Sequence, residues 1–254
     1  MNPETDNDPG KAKSLSNTLS AWVTRFWAAS WPRDCFVCDE NAGAEAVCAH
    51  CTPLLPWLDA RASCPCCALP SPQGLLCGRC LKRTPHFEAS QALFAYATPM
   101  REMVLALKHG TGFAQLDWLA HRLAERCSAF AAPDLIIPMP LHASRLAERG
   151  FNQAAELARA LRRHLPSPTK LALDLVVRDT DTPRLEGLRQ KERLRAVRGA
   201  FRCRQPVTGL HVLVIDDVMT SGATLNELAR TLKMSGAARV SNLVLARTLY
   251  QPKK

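Results

Sequence analysis

The stretch Val212–Leu232, "VLVIDDVMTSGATLNELARTL", decides how this chain is read. Val212 to Ile215 form an uninterrupted aliphatic run, the pattern of a strand buried on both faces. Leu225, Leu228, Ala229 and Leu232 then recur at i, i+3, i+4 and i+7, so a helix starts near Ala223 and ends before Gly236. Thr220, Ser221, Gly222, Ala223 and Thr224 are left as the strand-to-helix turn. Bare backbone N–H groups point out of such a turn, and the helix dipole adds partial positive charge. Gly222 lets an anion approach the backbone, and the hydroxyls of Thr220, Ser221 and Thr224 add donors. This is a cup for a phosphate monoester. It lacks the lysine of GxxxxGK[ST], which excludes the usual grip on a nucleoside triphosphate.

Asp216 and Asp217 stand just upstream, with Val218 and Met219 leading into the cup. Two carboxylates there would repel a second phosphate, but they accept hydrogen bonds from vicinal hydroxyls or help hold Mg²⁺. The ligand so described is a ribose 5-phosphate. A helix cap would explain one aspartate and the hydroxyls, not two acids several residues upstream.

Elsewhere, short apolar segments alternate with helical ones. "SQALFAY", "DLIIPMP", "LALDLVV", "HVLVID" and "RVSNLVLA" read as strands. "PMREMVLALKHG", ended by Gly110, "FAQLDWLAHRLAERCSAF" and "FNQAAELARALRRHL" read as helices. The fold class is α/β, a mostly parallel sheet flanked by helices over residues 85–254. In such sheets ligands bind at the carboxyl ends of the strands, where the two aspartates sit.

The N-terminal third is different. Cys35-x2-Cys38-x9-Cys48-x2-Cys51 recurs as Cys64-x2-Cys67-x9-Cys77-x2-Cys80, shifted throughout by 29 residues. Each half supplies four thiols in two knuckles, the donor set of a structural tetrahedral Zn²⁺ site. Residues 33–84 are therefore a double zinc ribbon with two Zn²⁺, paired within each half or cross-braced between halves. Cys66 reads as a spare able to replace Cys67, and His50 as outer shell at most. Arg79 is the only Arg or Lys inside a knuckle, which favours a structural and interaction role over direct DNA reading. Residues 1–13 read as a disordered tail. Residues 14–32 read as an amphipathic helix with Leu15, Leu19, Trp22, Val23, Phe26 and Trp27 on one stripe.

The net charge of +10 favours an anionic partner. Arg145 and Arg149, four residues apart, share a helical face and can reach an anion at the strand end. Arg189, Lys191, Arg193 and Arg195, in a segment that also holds Arg178, Arg184 and Arg198, have the composition of a loop closing over pyrophosphate or lying along a nucleic-acid backbone. Lys108 and His142 fit either the shielding of pyrophosphate or a structural role. No apolar run reaches a membrane span, and no export signal is visible, so the expected location is the cytoplasm. Eleven cysteines in that reducing compartment point to metal rather than disulfides.

The Val212–Leu232 stretch resembles the phosphoribosyl pyrophosphate (PRPP) motif of type I phosphoribosyltransferases. With the cysteine ribbons upstream, the chain from about Trp31 to Arg247 resembles the ComF family, linked to competence and the use of external DNA. "ALKHG", "PMPLHASRLAERGFNQAAELA", "RDTDTPRLEGLRQKERLRAVRGAF" and "VLVIDDVMTSGATL" follow in the family's order. The resemblance implies that Asp216 and Asp217 meet the ribose hydroxyls and that Thr220 to Thr224 hold the 5′-phosphate. It also implies that the loop around Met139, Pro140, Leu141 and His142 faces the pyrophosphate, with Mg²⁺. His109 and Ala196 depart from the family's usual aromatic and asparagine. No acceptor pocket is legible. Three functions fit: a DNA-handling factor on this fold binding single-stranded DNA and protein partners of an uptake machinery; an active phosphoribosyltransferase in nucleotide salvage; and a zinc-ribbon adaptor with a vestigial pocket. Family association and charge favour the first, and the intact Asp216, Asp217 and Gly222 count against the last.

Overall fold

Pairing of aliphatic strands organises the larger part of the chain. The structure, a computed structural model, describes residues 33–166, 169–181, 192 and 195–249. The expected tail 1–13, the expected helix 14–32, and Arg184, Arg189, Lys191 and Arg193 lie outside them. The chain divides into two compact units, one ending at Leu54 and the other beginning at Leu55. In the smaller, Cys35, Ala46, Val47, Cys48 and Cys51 are buried around the first cysteine set.

The larger unit holds strands β1 (Ala89–Ala95), β2 (Leu135–Pro138), β3 (Lys170–Leu171), β4 (Val176–Arg178), β5 (Phe201–Cys203), β6 (His211–Met219) and β7 (Arg239–Arg247). Its helices are α1 (Gly78–Lys82), α2 (Met100–His109), α3 (Leu116–Cys127), α4 (Ala143–Arg149), α5 (Gln153–His164) and α6 (Ala223–Met234). Five strands form one parallel sheet in the order β1-β7-β6-β2-β3. The central strands carry apolar runs, with Val212 to Ile215 and Leu243 to Ala246 at zero exposure. Such runs need cover on both faces. Helices α3 and α5 pack together and against β7, β1, β2 and β6, while α6 packs on β7 and β5.

The expected helix at Ala223–Met234 is present with those bounds, and α2 ends where Gly110 takes the left-handed conformation at φ 81°. Two strand expectations need correction. "LALDLVV" is not one strand: Lys170–Leu171 pairs with β2, the chain then leaves the sheet, and Val176–Arg178 joins β5 as an antiparallel pair. Asp174, exposed, sits at the break, where a doubly covered strand would have buried its charge without a partner. Strand β6 does not stop at Ile215 but continues to Met219, because β7 offers pairing partners as far as Arg247. The β4–β5 pair rests on the α6 side: Val176, Ala200 and Phe201 share a core with Val212, Val214, Leu225 and Leu228.

The second cysteine ribbon belongs to that same core, which includes Leu58, Cys64, Cys66, Cys67, Ala68, Cys80 and Phe87. Arg247, 1% exposed at the end of β7, fastens the ribbon to the sheet. Its Nε donates to Cys67 O at 2.8 Å. Its Nη1 donates to Met219 O at 2.8 Å, to Thr248 O at 3.0 Å and to Thr220 O. Burial lowers the guanidinium's pKa, yet the ring of carbonyl oxygens suits a cation. Replacing Arg247 by Met keeps the volume and orphans these acceptors. The expected cost is at least about 3 kcal/mol, read as a lower denaturant midpoint at unchanged m-value.

Candidate functional site: a phosphate cup beside paired aspartates

Strands β6 and β2 run side by side, with Ile137 opposite Val214 and Pro138 opposite Ile215. Two loops therefore leave the sheet as neighbours: Met139–His142 after β2, and Thr220–Gly222 after β6. The first is held by Met139 N donating to Ile215 O at 2.8 Å and by Asn152 Nδ2 donating to Met139 O at 3.0 Å. Asn152 also caps α5, accepting from Ala154 N and Ala155 N.

The strand-to-helix turn lies where the sequence placed it. Gly222, at φ 76°, precedes α6 in the left-handed region, and a Cβ there would come within 2.7 Å of Met219 Cε. Ser221 Oγ accepts from Ala223 N at 3.3 Å. The remaining first-turn N–H groups of a helix have no partner within it and face outward at its mouth. Thr220 is exposed, and Ser221 and Thr224 are half-buried, so their hydroxyls border the opening. A cavity of about 100 Å³ touches Ser221, Gly222 and Ala223.

Asp216 and Asp217 occupy the last part of β6. Asp217 is 6% exposed, and its Oδ2 meets Lys108 Nζ at 3.2 Å and Gln153 Nε2 at 3.0 Å. Gln153 in turn accepts from Arg149 through its Oε1. Four elements thus converge on one carboxylate: α2 brings Lys108, α4 brings Arg149, α5 brings Gln153 and β6 brings the acid. Burial disfavours the Lys108 ammonium, but Asp217 and Asp216 outweigh it and raise its pKa. Asp216 is half-buried, and its Oδ1 accepts from Asp217 N at 2.9 Å. Burial and the like charge of Asp217 push its carboxyl well above the usual carboxylate range.

On the other side, His142 caps α4, its Nδ1 accepting from Ser144 N at 3.3 Å. Ser144 Oγ donates to Asp181 Oδ2 at 2.7 Å. Arg145 is half-buried and lies close enough to Arg178 to repel it, while Asp216 attracts Arg178. Pro140 is buried and Leu141 half-buried, both lining a cavity of about 640 Å³ between α4, α5 and the β4–β5 pair. Arg195 is exposed, beside buried Val197 and Ala200. Sequence reasoning missed Gln153 and Arg247. The amphipathic register of α5 places Gln153 on its buried face, which was the available signal.

The cysteines form two sets, each from one half: Cys35, Cys38, Cys48 and Cys51, and Cys64, Cys67, Cys77 and Cys80. Pairing is sequential, not cross-braced. In each set the sulfurs lie within 4.8 Å of one another. A tetrahedron with Zn–S bonds of ~2.3 Å has edges of about 3.8 Å. Cys38 and Cys48 Sγ are 3.8 Å apart, and Cys67 and Cys77 Sγ are 3.6 Å apart. Backbone donors reach the sulfurs, as Cys48 N does Cys35 Sγ at 3.3 Å and Cys77 N does Cys64 Sγ at 3.4 Å, the second-shell support a thiolate ligand needs. Both sets fit structural zinc. His50 is exposed and outside the first set. Cys66 is outside the second: its thiol points to Phe87 O at 3.8 Å, and burial pushes it up to about 11.

A double zinc ribbon domain matches residues 26–81, and a phosphoribosyl transferase domain matches residues 146–254. Over 193 residues the chain is 35% identical to DNA utilization protein YhgH of Escherichia coli O6:H1, covering 73% of this chain and 84% of that protein. The chain belongs to the ComF family. This ComF-family chain is also 33% identical over 180 residues to competence protein F of Haemophilus influenzae, covering 67% of this chain and 78% of that one. Among solved structures, a hypoxanthine phosphoribosyl transferase of Trypanosoma cruzi is 20% identical over 61% of this chain and 71% of that one, at a TM-score of 0.34. That likeness is too slight to carry an argument.

Two outcomes are expected. Metal analysis of the purified protein returns two zinc ions per chain, and Cys38→Ser with Cys51→Ser lowers the count to one. Because Asp216 holds a proton more tightly folded than unfolded, its ionisation destabilises the fold as pH rises from about 4 through its raised pKa. Asp216→Asn should therefore raise the melting temperature at pH 7, and the gain should vanish when both proteins are measured near pH 3.5.

Proposed function

We propose that this chain binds a phosphoribosyl group, PRPP or a ribose 5-phosphate, and acts from the cytoplasm in handling external single-stranded DNA. Its family membership and its transferase-type domain support a role related to DNA uptake. The observation that carries the ligand reading is the left-handed turn at Gly222 that opens α6 directly after the strand bearing two adjoining carboxylates. In this reading the amides at the mouth of α6 take the 5′-phosphate, and Asp216, half-exposed, accepts from a ribose hydroxyl.

Asp217 has a second duty. With Lys108 and Gln153 occupying one of its oxygens, it keeps the carboxylate pair fixed and draws a cation to the place where pyrophosphate charge would lie. Lys108, 27% exposed, keeps enough freedom to face that charge. Arg145 and the loop Met139–His142 supply the neighbouring positive charge and backbone donors. Among the described residues no third acid or histidine gathers beside the pair. That fits Mg²⁺ held by one or two carboxylates together with ligand phosphates, not a cage made by protein alone. When bound, Mg²⁺ supplies the positive charge that stabilises pyrophosphate as a leaving group. Opposite the C1′ carbon, no residue is assigned to an acceptor.

The ligand test is calorimetry with PRPP and Mg²⁺. The unaltered chain should bind, and Asp216→Asn with Asp217→Asn should reduce binding below detection while circular dichroism stays native. Binding that survives in a folded double variant refutes the reading. Pyrophosphate release across a panel of nucleobases and amines then separates a transferase from a binder.

A further inference from the structure

The charge of the second ribbon has a place to act. Two adjoining cavities share Arg83, His86 and Asn226 in their linings and together make up a basic groove. The first, about 100 Å³, begins at Ser221, Gly222 and Ala223 and runs past Arg79. The second, about 320 Å³, continues beside Arg195, Arg198 and Arg230. Its walls are the end of α1 with the segment to His86, the turn Arg195–Arg198, and the side of α6.

Five arginines line this groove against a single carboxylate, Glu227. That carboxylate is already committed, accepting from Arg230 and, at 2.8 Å, from Gly199 N. Arg83, Arg195 and Arg198 are exposed and make no ion pair among the described residues. The walls are tied together by polar contacts. His86 N donates to Asn226 Oδ1 at 2.7 Å, and Arg79 Nη2 donates to Ser221 O. Val197, 1% exposed, anchors the turn whose two arginines face outward. The walls that carry these arginines are thus tied together, while the exposed guanidinium groups of Arg83, Arg195 and Arg198 stay free to meet a ligand.

We propose that this groove holds the phosphodiester backbone of a single-stranded nucleic acid and leads it toward the phosphate cup. The inference deepens the DNA-handling reading above by assigning its surface. Arg83, Arg195 and Arg198, in no ion pair among the described residues, suit several phosphates of one chain better than one small phosphate. The lining offers no exposed Phe, Tyr or Trp for stacking, so contact is with the backbone and tolerates any sequence. The second ribbon therefore contacts nucleic acid through Arg79 and Arg83, contrary to the structural role its neutral knuckles suggest.

The test uses the full chain, a fluorescent oligo-dT strand and a salt titration. Arg83→Ala with Arg198→Ala should weaken binding and make the slope of log affinity against log salt shallower by about 1.4, at about 0.7 per lost single-strand phosphate contact. Arg101→Ala with Arg162→Ala, both exposed and away from the groove, should leave the slope unchanged. An unchanged slope in the groove variant, or an equal loss in the control, overturns the proposal. So does displacement of the strand by an acidic peptide at equal affinity, which would make the groove a protein-docking surface. Ribose 5-phosphate binding, measured by calorimetry, should persist in the groove variant. Its loss there would assign these arginines to the sugar-phosphate site instead. Failure of the aspartate variants alone leaves the groove result standing.

Discussion

The guanidinium of Arg247 is the contact on which the arrangement of the site depends. It sits at the end of a strand with zero-exposure neighbours and collects carbonyl oxygens from three segments: the second ribbon, the end of β6 and the start of the cup. A buried cation is costly unless its donors are filled, so the three segments must stay together for the charge to be tolerated. The turn that offers bare amides to an anion is therefore held from behind by a cysteine ribbon, not left as a free loop.

A second constraint acts on the acids. Two adjoining carboxylates in a half-buried place repel each other, and the chain offsets this by giving one of them a lysine and an amide. The other keeps the cost, visible in its raised pKa. Local instability of this kind is common where a ligand's own groups complete the interactions. Lys108 and Gln153 come from different helices, so the pair is held only when both helices are packed in place.

Much of this was legible in the residues because it is local. The amphipathic spacing of Leu225, Leu228 and Leu232 located α6, and Gly110 marked the end of α2. Thiol spacing gave each ribbon its own four cysteines, although cross-bracing stayed open until the sulfurs were placed. The run Val212–Ile215 identified the central strand but not its length, because β7 extends it by pairing. "LALDLVV" misled because an aliphatic run looks alike in one strand or two, and only the partners of Lys170 and Val176 separate them. The burial of Gln153 was legible in the register of α5, but its partner and that of Arg247 were not, because they lie 64 and 180 positions away.

The duplicated ribbons look interchangeable in sequence, yet they carry unequal consequences. The second shares a packed interior with the sheet, and Cys67 lends its carbonyl to the arginine that braces the turn Thr220–Gly222. Oxidation or demetallation of those four thiols would therefore be felt at the turn as well, which makes the second repeat a buttress.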